Sequence, residues 1–160
     1  TSRRPISSFK ALSNVLESRL DKALNELIGR RLVGAKKLAT AGWADEYRAA
    51  MKGICCDFRI LGERAVEEVL LNEVVVRFRR SVTTDNRIGA VAKVTPADCE
   101  LLDALMTRYS CFEHSQPREL PVAVPDASAV ELDAKRLLTW YGEFTQRRVP
   151  VPVPTAAAAT

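Results

Sequence analysis

Apolar side chains recur every three or four residues over four separate stretches, and this spacing constrains the fold more than any other feature. The first stretch covers about residues 6 to 40. The spacing places its apolar groups on one face of a long amphipathic helix. Gly29 and Gly34 either bend this helix or admit a close neighbour, and a turn at Gly42 ends it.

The second stretch predicts a helix from Trp43 to about Arg80. Its last part, Val74 to Phe78, is β-branched and also fits a strand. No second strand is available to pair with it, so we keep this part as helix. Residues 81 to 94 are of mixed polarity, which predicts a loop or a short ordered connection.

The third helix has a clear start signal. Thr95 is a good N-cap, Pro96 suits the first helical position, and Asp98 places negative charge at the positive end of the helix dipole. We expect this helix to end before Pro117. The prolines between residues 116 and 125 predict an extended surface connector.

A fourth helix begins after either Asp126 or Ser128, both suitable caps, and ends near Arg147. Trp140 and Tyr141 have the aromatic faces needed to stack on a base, but their helical spacing favours the core.

Together the helices predict one all-α domain over residues 6–148, an up-and-down bundle of four to five helices with short connections. Residues 149–160 are rich in proline and alanine, which predicts a disordered tail. No apolar run approaches the roughly 20 residues of a membrane span, and the first residues lack a signal peptide. We therefore expect a soluble, cytoplasmic protein with no membrane partner.

The cysteines do not form a recognisable framework. Cys55 and Cys56 are adjacent, and neither they nor Cys99 and Cys111 form a C-x-x-C pair. We interpret all four as reduced core thiols, with a redox-sensor role as the alternative. A zinc site would need three of them to converge with the single histidine, so we expect no metal.

Positive charge is concentrated in two stretches of the chain, and the first of them contains Arg30, Arg31, Lys36 and Lys37 and no acidic residue. The formal net charge is +4, which permits nucleic-acid contact without requiring it. A basic segment with one acidic residue is the candidate RNA-binding region; its cations are Arg77, Arg79, Arg80, Arg87 and Lys93. A solvated surface is the other interpretation of this segment.

One local arrangement suggests chemistry. Arg108 and the only histidine, His114, lie six positions apart where the third helix gives way to the proline-rich connector. Imidazole, with an ordinary pKa near 6.5, can move protons at neutral pH, and a guanidinium can hold a phosphate through two hydrogen bonds. An arginine and a histidine at a helix end can also simply interact with the helix dipole.

Here the chain resembles the HEPN superfamily, whose ribonuclease members carry an R-x(4 to 6)-H motif after an L-x-x-L-type helix. Arg108 and His114 match this motif as R-x5-H, and the order of helices over about residues 6 to 148 is similar. The chain is also similar to the C-terminal nuclease region of anticodon-nuclease-type AAA ATPases of bacterial defence. At the position after the arginine, where many active members have a polar residue, this chain has Tyr109.

The resemblance implies a metal-independent endoribonuclease that needs no cofactor, acts on RNA such as tRNA, and works as a homodimer in antiviral defence or as a toxin. Arg108 would stabilise charge on the phosphate and His114 would transfer the proton, while Glu113 or Glu63 would orient the histidine or exchange protons with it. It also implies an ATPase domain elsewhere, because this sequence has no phosphate-binding loop.

The alternative is a non-catalytic helical dimerisation or adaptor module of a larger protein. It rests on the continuous apolar stripe of the first helix, which can pack against a partner.

Overall fold

The computed structural model describes residues 16–112 and 123–151. Within these ranges the chain forms five α-helices packed together and no strand. The predicted all-α class is therefore confirmed. Predictions for other positions, including the start of the first helix and the tail beyond residue 151, concern residues outside the described ranges.

The first helical rod is built from three consecutive pieces. They are α1 (Leu20–Glu26), a π-helical stretch (Leu27–Leu32) and α2 (Val33–Thr40). A methyl group added at Gly29 or Gly34 would meet nothing within 4 Å. The expectation that these glycines admit a close neighbour is therefore wrong.

The prediction of one uninterrupted helix from residue 6 to 40 is also wrong. Leu16 is helical, but the helix is broken before Leu20, because Arg19 has an extended backbone with ψ of 142°. The carbonyl oxygens of Leu16 and Ser18 accept hydrogen bonds from the Arg64 guanidinium, a group on another helix. The Arg64 side chain therefore supplies these carbonyl oxygens with the hydrogen bonds that a continuous helix would have supplied from its own backbone.

The second rod follows the predicted turn, where Gly42 has φ of +76°. Helix α3 (Ala44–Arg64) continues as a π-helical turn (Ala65–Leu70) and stops there. The predicted continuation to Arg80 is wrong, because Asn72 and Glu73 adopt left-handed backbones that no α-helix contains.

Residues 71 to 95 form a long connector, so the expectation of short connections fails here. Val74 to Phe78, predicted as helix and alternatively as strand, forms neither. The loop predicted for residues 81 to 94 is present, and it contains a single 3-10 helix (Ile88–Lys93).

Helix α4 (Pro96–Tyr109) starts as predicted at Thr95 and ends in a 3-10 turn (Ser110–Phe112). Thr95 and Asp98 form a reciprocal capping box, with the Thr95 backbone nitrogen 2.7 Å from Asp98 Oδ2.

Helix α5 (Ala127–Gln146) also begins and ends where the sequence indicated. Of the two candidate caps, Asp126 is the N-cap, and its carboxylate accepts a hydrogen bond of 2.9 Å from the Ser128 nitrogen. Trp140 is buried in the core, as predicted, and Tyr141 packs partly buried against it.

Neighbouring helices along the chain run antiparallel. The first rod turns back at Gly42, and its Arg31 pairs with Asp57 far along α3. Cys56 of α3 contacts Phe112 just after α4, whereas Gly62, later in α3, lies against Met106 within α4, where an added methyl group would be 2.9 Å from Sδ. The helices share one apolar core, which includes Trp140, Tyr109, Phe58, Phe144, Phe112, Met51, Ile54, Leu24 and Leu137. Among the described residues, no helix is long and apolar enough to cross a membrane.

The cysteines are all free, but only part of the core prediction holds. Cys55 is buried and Cys56 is partly buried, whereas Cys99 and Cys111 are exposed. Burial raises the pKa of the Cys55 thiol to about 12, so that thiol is protonated at neutral pH. The prediction of core thiols is wrong for Cys99 and Cys111, which occupy solvent-facing positions near the two ends of α4.

The start of α4 is fixed to the end of α5 by one buried carboxylate. Asp98 accepts hydrogen bonds from Trp140 Nε1 at 3.0 Å and from Arg147 Nη1 at 2.6 Å. Burial alone would raise the pKa of Asp98, but the bonds from Arg147, Thr95 and Trp140 outweigh it and hold the pKa well below its usual value of 3.8. The ionised carboxylate is therefore the form that the fold stabilises.

We expect Asp98→Ala to lower the free energy of unfolding by about 2–4 kcal/mol, because it removes a helix cap and leaves the buried Trp140 nitrogen without an acceptor. Chemical denaturation measures this loss. Asp45→Ala is the matched control, since Asp45 lies in the first turn of α3 with a side chain that is 95% exposed, and it should change stability by less than about 0.5 kcal/mol.

Asp98 also predicts a pH dependence. Its folded pKa lies below 3.8, so its contribution to stability is complete above pH 3.8 and is lost as the pH falls towards the folded pKa. The melting temperature should decrease below about pH 4, with a smaller decrease for Asp98→Asn. Equal acid sensitivity in the two proteins would contradict this assignment.

Candidate functional site

Arg108 lies in the last turn of α4 and points towards α5. Its Nη1 is 2.8 Å from Asp133 Oδ2, and its side chain is 54% exposed. The guanidinium is thus fixed at one end by a carboxylate while about half of it faces solvent. An arginine held in this way is oriented before any ligand arrives, which lowers the entropic cost of binding.

Asp133 is the group that holds Arg108. Only 2% of its side chain is exposed, and a buried carboxylate is tolerated only when its oxygens are paired and hydrogen-bonded. It also accepts a hydrogen bond of 2.9 Å from the Tyr109 hydroxyl, and Arg136 Nη1 lies 3.5 Å from its Oδ1. Three donors therefore converge on one buried anion.

Tyr109 follows the arginine and belongs to the core. Its ring packs edge-on against Phe58, with centroids 4.7 Å apart, and lies 6.2 Å from the Phe112 ring. Burial raises the pKa of the Tyr109 hydroxyl, and its bond to Asp133 raises it further. The phenol is therefore a neutral donor that holds Asp133, rather than a group facing a substrate.

Asp133 and Arg136 are the residues of this cluster that sequence reasoning missed. Arg136 lies one turn after Asp133 on α5, with 53% of its side chain exposed. One sequence feature could have revealed the cluster: Asp133 is an acidic residue at a core position, because Val130, Asp133 and Leu137 follow the spacing of the buried face of a helix. A carboxylate at such a position indicates a buried partner, although the sequence does not say which.

His114 and Glu113 lie outside the described residues, which stop at Phe112 and resume at residue 123. The turn that precedes them is held in place. Cys56 Sγ on α3 donates to the Phe112 carbonyl oxygen at 3.1 Å, and the Phe112 ring is buried. The described chain therefore ends at a fixed position two residues before the histidine.

Glu63, the other predicted proton carrier, has different partners. Its carboxylate pairs with Arg59 at 3.1 Å and with Arg77, and only 11% of its side chain is exposed. Burial alone would raise the pKa of Glu63, but Arg77 and Arg59 outweigh it and lower the pKa below its ordinary value. A carboxylate stabilised as an anion in this way is a weak proton acceptor.

The described contacts join Glu63 to Arg77 and Arg108 to Asp133, and they do not join Glu63 to Arg108. Arg59 also donates to the Met106 carbonyl oxygen of α4, so Glu63 acts through Arg59 and Arg77 on the packing of this region. Its contacts are those of a structural residue.

The predicted basic segment divides into two groups. Arg77 pairs with Glu63 and Glu67, and Arg87 pairs with Glu73. Lys93 lies 4.5 Å above the ring of Phe144.

Arg79 and Arg80 are exposed in the connector. The net charge of the segment is therefore presented mainly by these two arginines.

In the described ranges, no three His, Cys, Asp or Glu side chains are placed so as to hold a metal ion. Comparison with protein-family models, curated proteins and solved structures finds no match to this chain. The structure itself defines the class of protein: an all-α helical bundle in which two half-exposed arginines, Arg108 and Arg136, contact the buried Asp133 carboxylate.

The Asp133 cluster predicts a specific cost for removing one hydroxyl group. Tyr109→Phe keeps the ring in the core but removes a donor to a buried charge, so it should lower the free energy of unfolding by about 1.5–3 kcal/mol in chemical denaturation. In an Asp133→Asn background the same change should cost less, because the acceptor is no longer charged. Equal costs in both backgrounds would show that the hydroxyl does not stabilise the carboxylate.

Proposed function

We propose that this chain is a HEPN-like, metal-independent endoribonuclease domain that uses Arg108 and His114. The observation that supports it most is the position of Arg108, which is fixed by a buried carboxylate, half exposed, and located six residues before the only histidine. An arginine that is fixed on a buried carboxylate and is still half exposed can offer its remaining N–H donors to a phosphate.

The proposed chemistry needs few groups. The ribose 2′-oxygen attacks the adjacent phosphorus, the 5′-oxygen leaves, and a 2′,3′-cyclic phosphate is formed. His114 takes the proton from the 2′-hydroxyl or gives one to the leaving oxygen, as a group with an ordinary pKa near 6.5 can. Arg108 stabilises the charge that builds up on the non-bridging oxygens.

Arg136 strengthens this proposal. It shares Asp133 with Arg108, and two guanidinium groups against one carboxylate leave a net positive charge at the surface. A phosphate is attracted to such a pair, and guanidinium N–H groups match its oxygens in geometry. We therefore add Arg136 to the proposed substrate contacts.

A homodimer completes the proposed site. One copy has a single histidine and thus one group suited to proton transfer at neutral pH, whereas cleavage needs both a base and an acid. Two copies that bring their motifs into one cleft supply both. By its resemblance to anticodon-nuclease-type proteins, the domain would act on tRNA in the cytoplasm as a toxin or defence effector, regulated by an ATPase domain.

The adaptor alternative is less well supported over the described part of the first helix. The apolar stripe of the first rod is buried within this chain, with Leu20, Leu24, Leu27 and Leu32 each at most 2% exposed. These side chains form the core and are not available to a partner.

The test is an incubation of the purified protein with tRNA in the presence of EDTA. We expect cleavage products with 2′,3′-cyclic phosphate ends. His114→Ala should lower the rate by about 10²–10⁴-fold, the usual contribution of one acid or base. Arg108→Ala should lower it by about 10²–10³-fold, the usual cost of one charge-stabilising donor.

Arg48→Ala is the matched control, because Arg48 is 68% exposed and its removal changes the net charge by the same amount. It should leave the rate within about threefold of wild type. Intact tRNA, or cleavage that His114→Ala does not slow, would rule out the ribonuclease.

A further inference from the structure

The connector between α3 and α4 contains a closed loop, residues 74–83. The Thr83 nitrogen donates to the Val74 carbonyl oxygen at 3.0 Å, and Val74 is buried. The two ends of the loop are thus joined, and the ion pairs of Arg77 with Glu63 and Glu67 attach the loop to the end of the second rod. Compact surface loops whose ends meet in this way frequently carry function.

Phe78 projects from this loop into solvent. It is the most exposed large hydrophobic residue among those described, and its backbone has a left-handed φ of +65°. A phenyl ring gains nothing from full exposure to water, and a left-handed backbone is unfavourable for a bulky residue. Two unfavourable features at one position suggest that the ring contacts a ligand.

The loop is strongly basic around this ring. Residues 74–84 include three arginines and no acidic residue. Arg77 is neutralised by Glu63 and Glu67, but Arg79 and Arg80 remain exposed. Contacts within the connector hold the Arg79 side chain in place, because its Nη1 donates to the Glu73 carbonyl oxygen at 3.1 Å and to Thr83 Oγ1 at 3.3 Å.

We propose that the 74–83 loop binds single-stranded RNA, with Phe78 stacked on an unpaired base and with Arg79 and Arg80 on the adjacent phosphates. One exposed aromatic ring next to arginines is the combination that single strands recognise, since every base has a π-face and every nucleotide a phosphate. A duplex would hide its base faces. The choice of RNA as the single strand rests on the proposed ribonuclease function.

The charge and shape of the loop favour a strand over a lipid surface. Its other exposed apolar side chains, Val75 and Val82, are partly covered, at 51% and 61% exposure. One fully exposed ring buries little apolar area in a membrane, but it matches the area of one base. Binding to a lipid surface is therefore treated as a competing outcome of the test.

The experiment measures binding of a fluorescent, unstructured 2′-O-methyl RNA of about 12 nucleotides by anisotropy, because this probe cannot be cleaved through its 2′-oxygen. Phe78→Ala should weaken binding by about 5- to 100-fold, and Phe78→Trp should retain it. Trp43→Ala is the matched control, since Trp43 is another exposed aromatic residue, 58% exposed at the turn before α3, and it should have little effect.

A salt series tests the arginines separately. Each of Arg79→Ala and Arg80→Ala should reduce the slope of log affinity against log salt by about 0.7, the value for one phosphate contact on a single strand. Arg48→Ala, which removes an equal charge elsewhere, should leave the slope unchanged.

The outcomes separate this proposal from the ribonuclease. Unchanged affinity in Phe78→Ala, with an unchanged melting temperature, overturns the loop proposal even if tRNA is cleaved. Binding that depends on Phe78 supports the loop even if no tRNA is cleaved. Phe78-dependent binding to phosphatidylserine vesicles without RNA binding, or a Phe78-dependent dimer in light scattering without RNA binding, also overturns it.

Discussion

Two buried carboxylates fix helix α4 against helix α5, and the rest of the structure depends on this pairing. Asp98 on α4 takes its donors from α5, namely Trp140 and Arg147. Asp133 on α5 takes donors from α4, namely Arg108 and Tyr109. Each helix thus supplies one anion and cross-helix donors for the other, so a shift in register would remove these donors from two buried carboxylates.

This reciprocal arrangement also sets the position of the candidate site. Asp98 lies at the start of α4, and Arg108 lies one residue before its end. With both ends of α4 held on α5, the position of Phe112 is determined by core packing and by the bond from Cys56. The same interactions that stabilise the fold therefore also fix the last described residue before His114 in the sequence.

Sequence reasoning succeeded where the determining interactions are local. The capping residues Thr95 and Asp126 act within three residues of themselves, and the core positions follow helical spacing. It failed at Arg19 and at Asn72 and Glu73, where the helix stops because of backbone conformations that adjacent residues do not dictate. At the first of these breaks, the partner is Arg64, on another helix.

At the candidate site too, sequence reasoning identified what depends on local spacing and missed what depends on contacts between distant residues. Spacing along the chain identified Arg108, but its acceptor lies 25 residues away, and no local pattern connects the two. The basic segment was found by composition, whereas the neutralisation of Arg77 by Glu63 and Glu67 depends on how α3 ends. Composition gives the total charge, and only the fold shows which charges remain available to a ligand.

An arginine at position 108 can bind the buried Asp133 carboxylate and present positive charge to solvent at the same time. A guanidinium has five N–H donors in a rigid plane, so one edge can bind Asp133 while another faces a phosphate. A lysine ammonium is a compact point charge, and a buried carboxylate that binds it draws the whole charge inward. An arginine that is half exposed and tied to a carboxylate that is 2% exposed is therefore suited to carry positive charge from the core to the surface. The proposed phosphate contact uses that property.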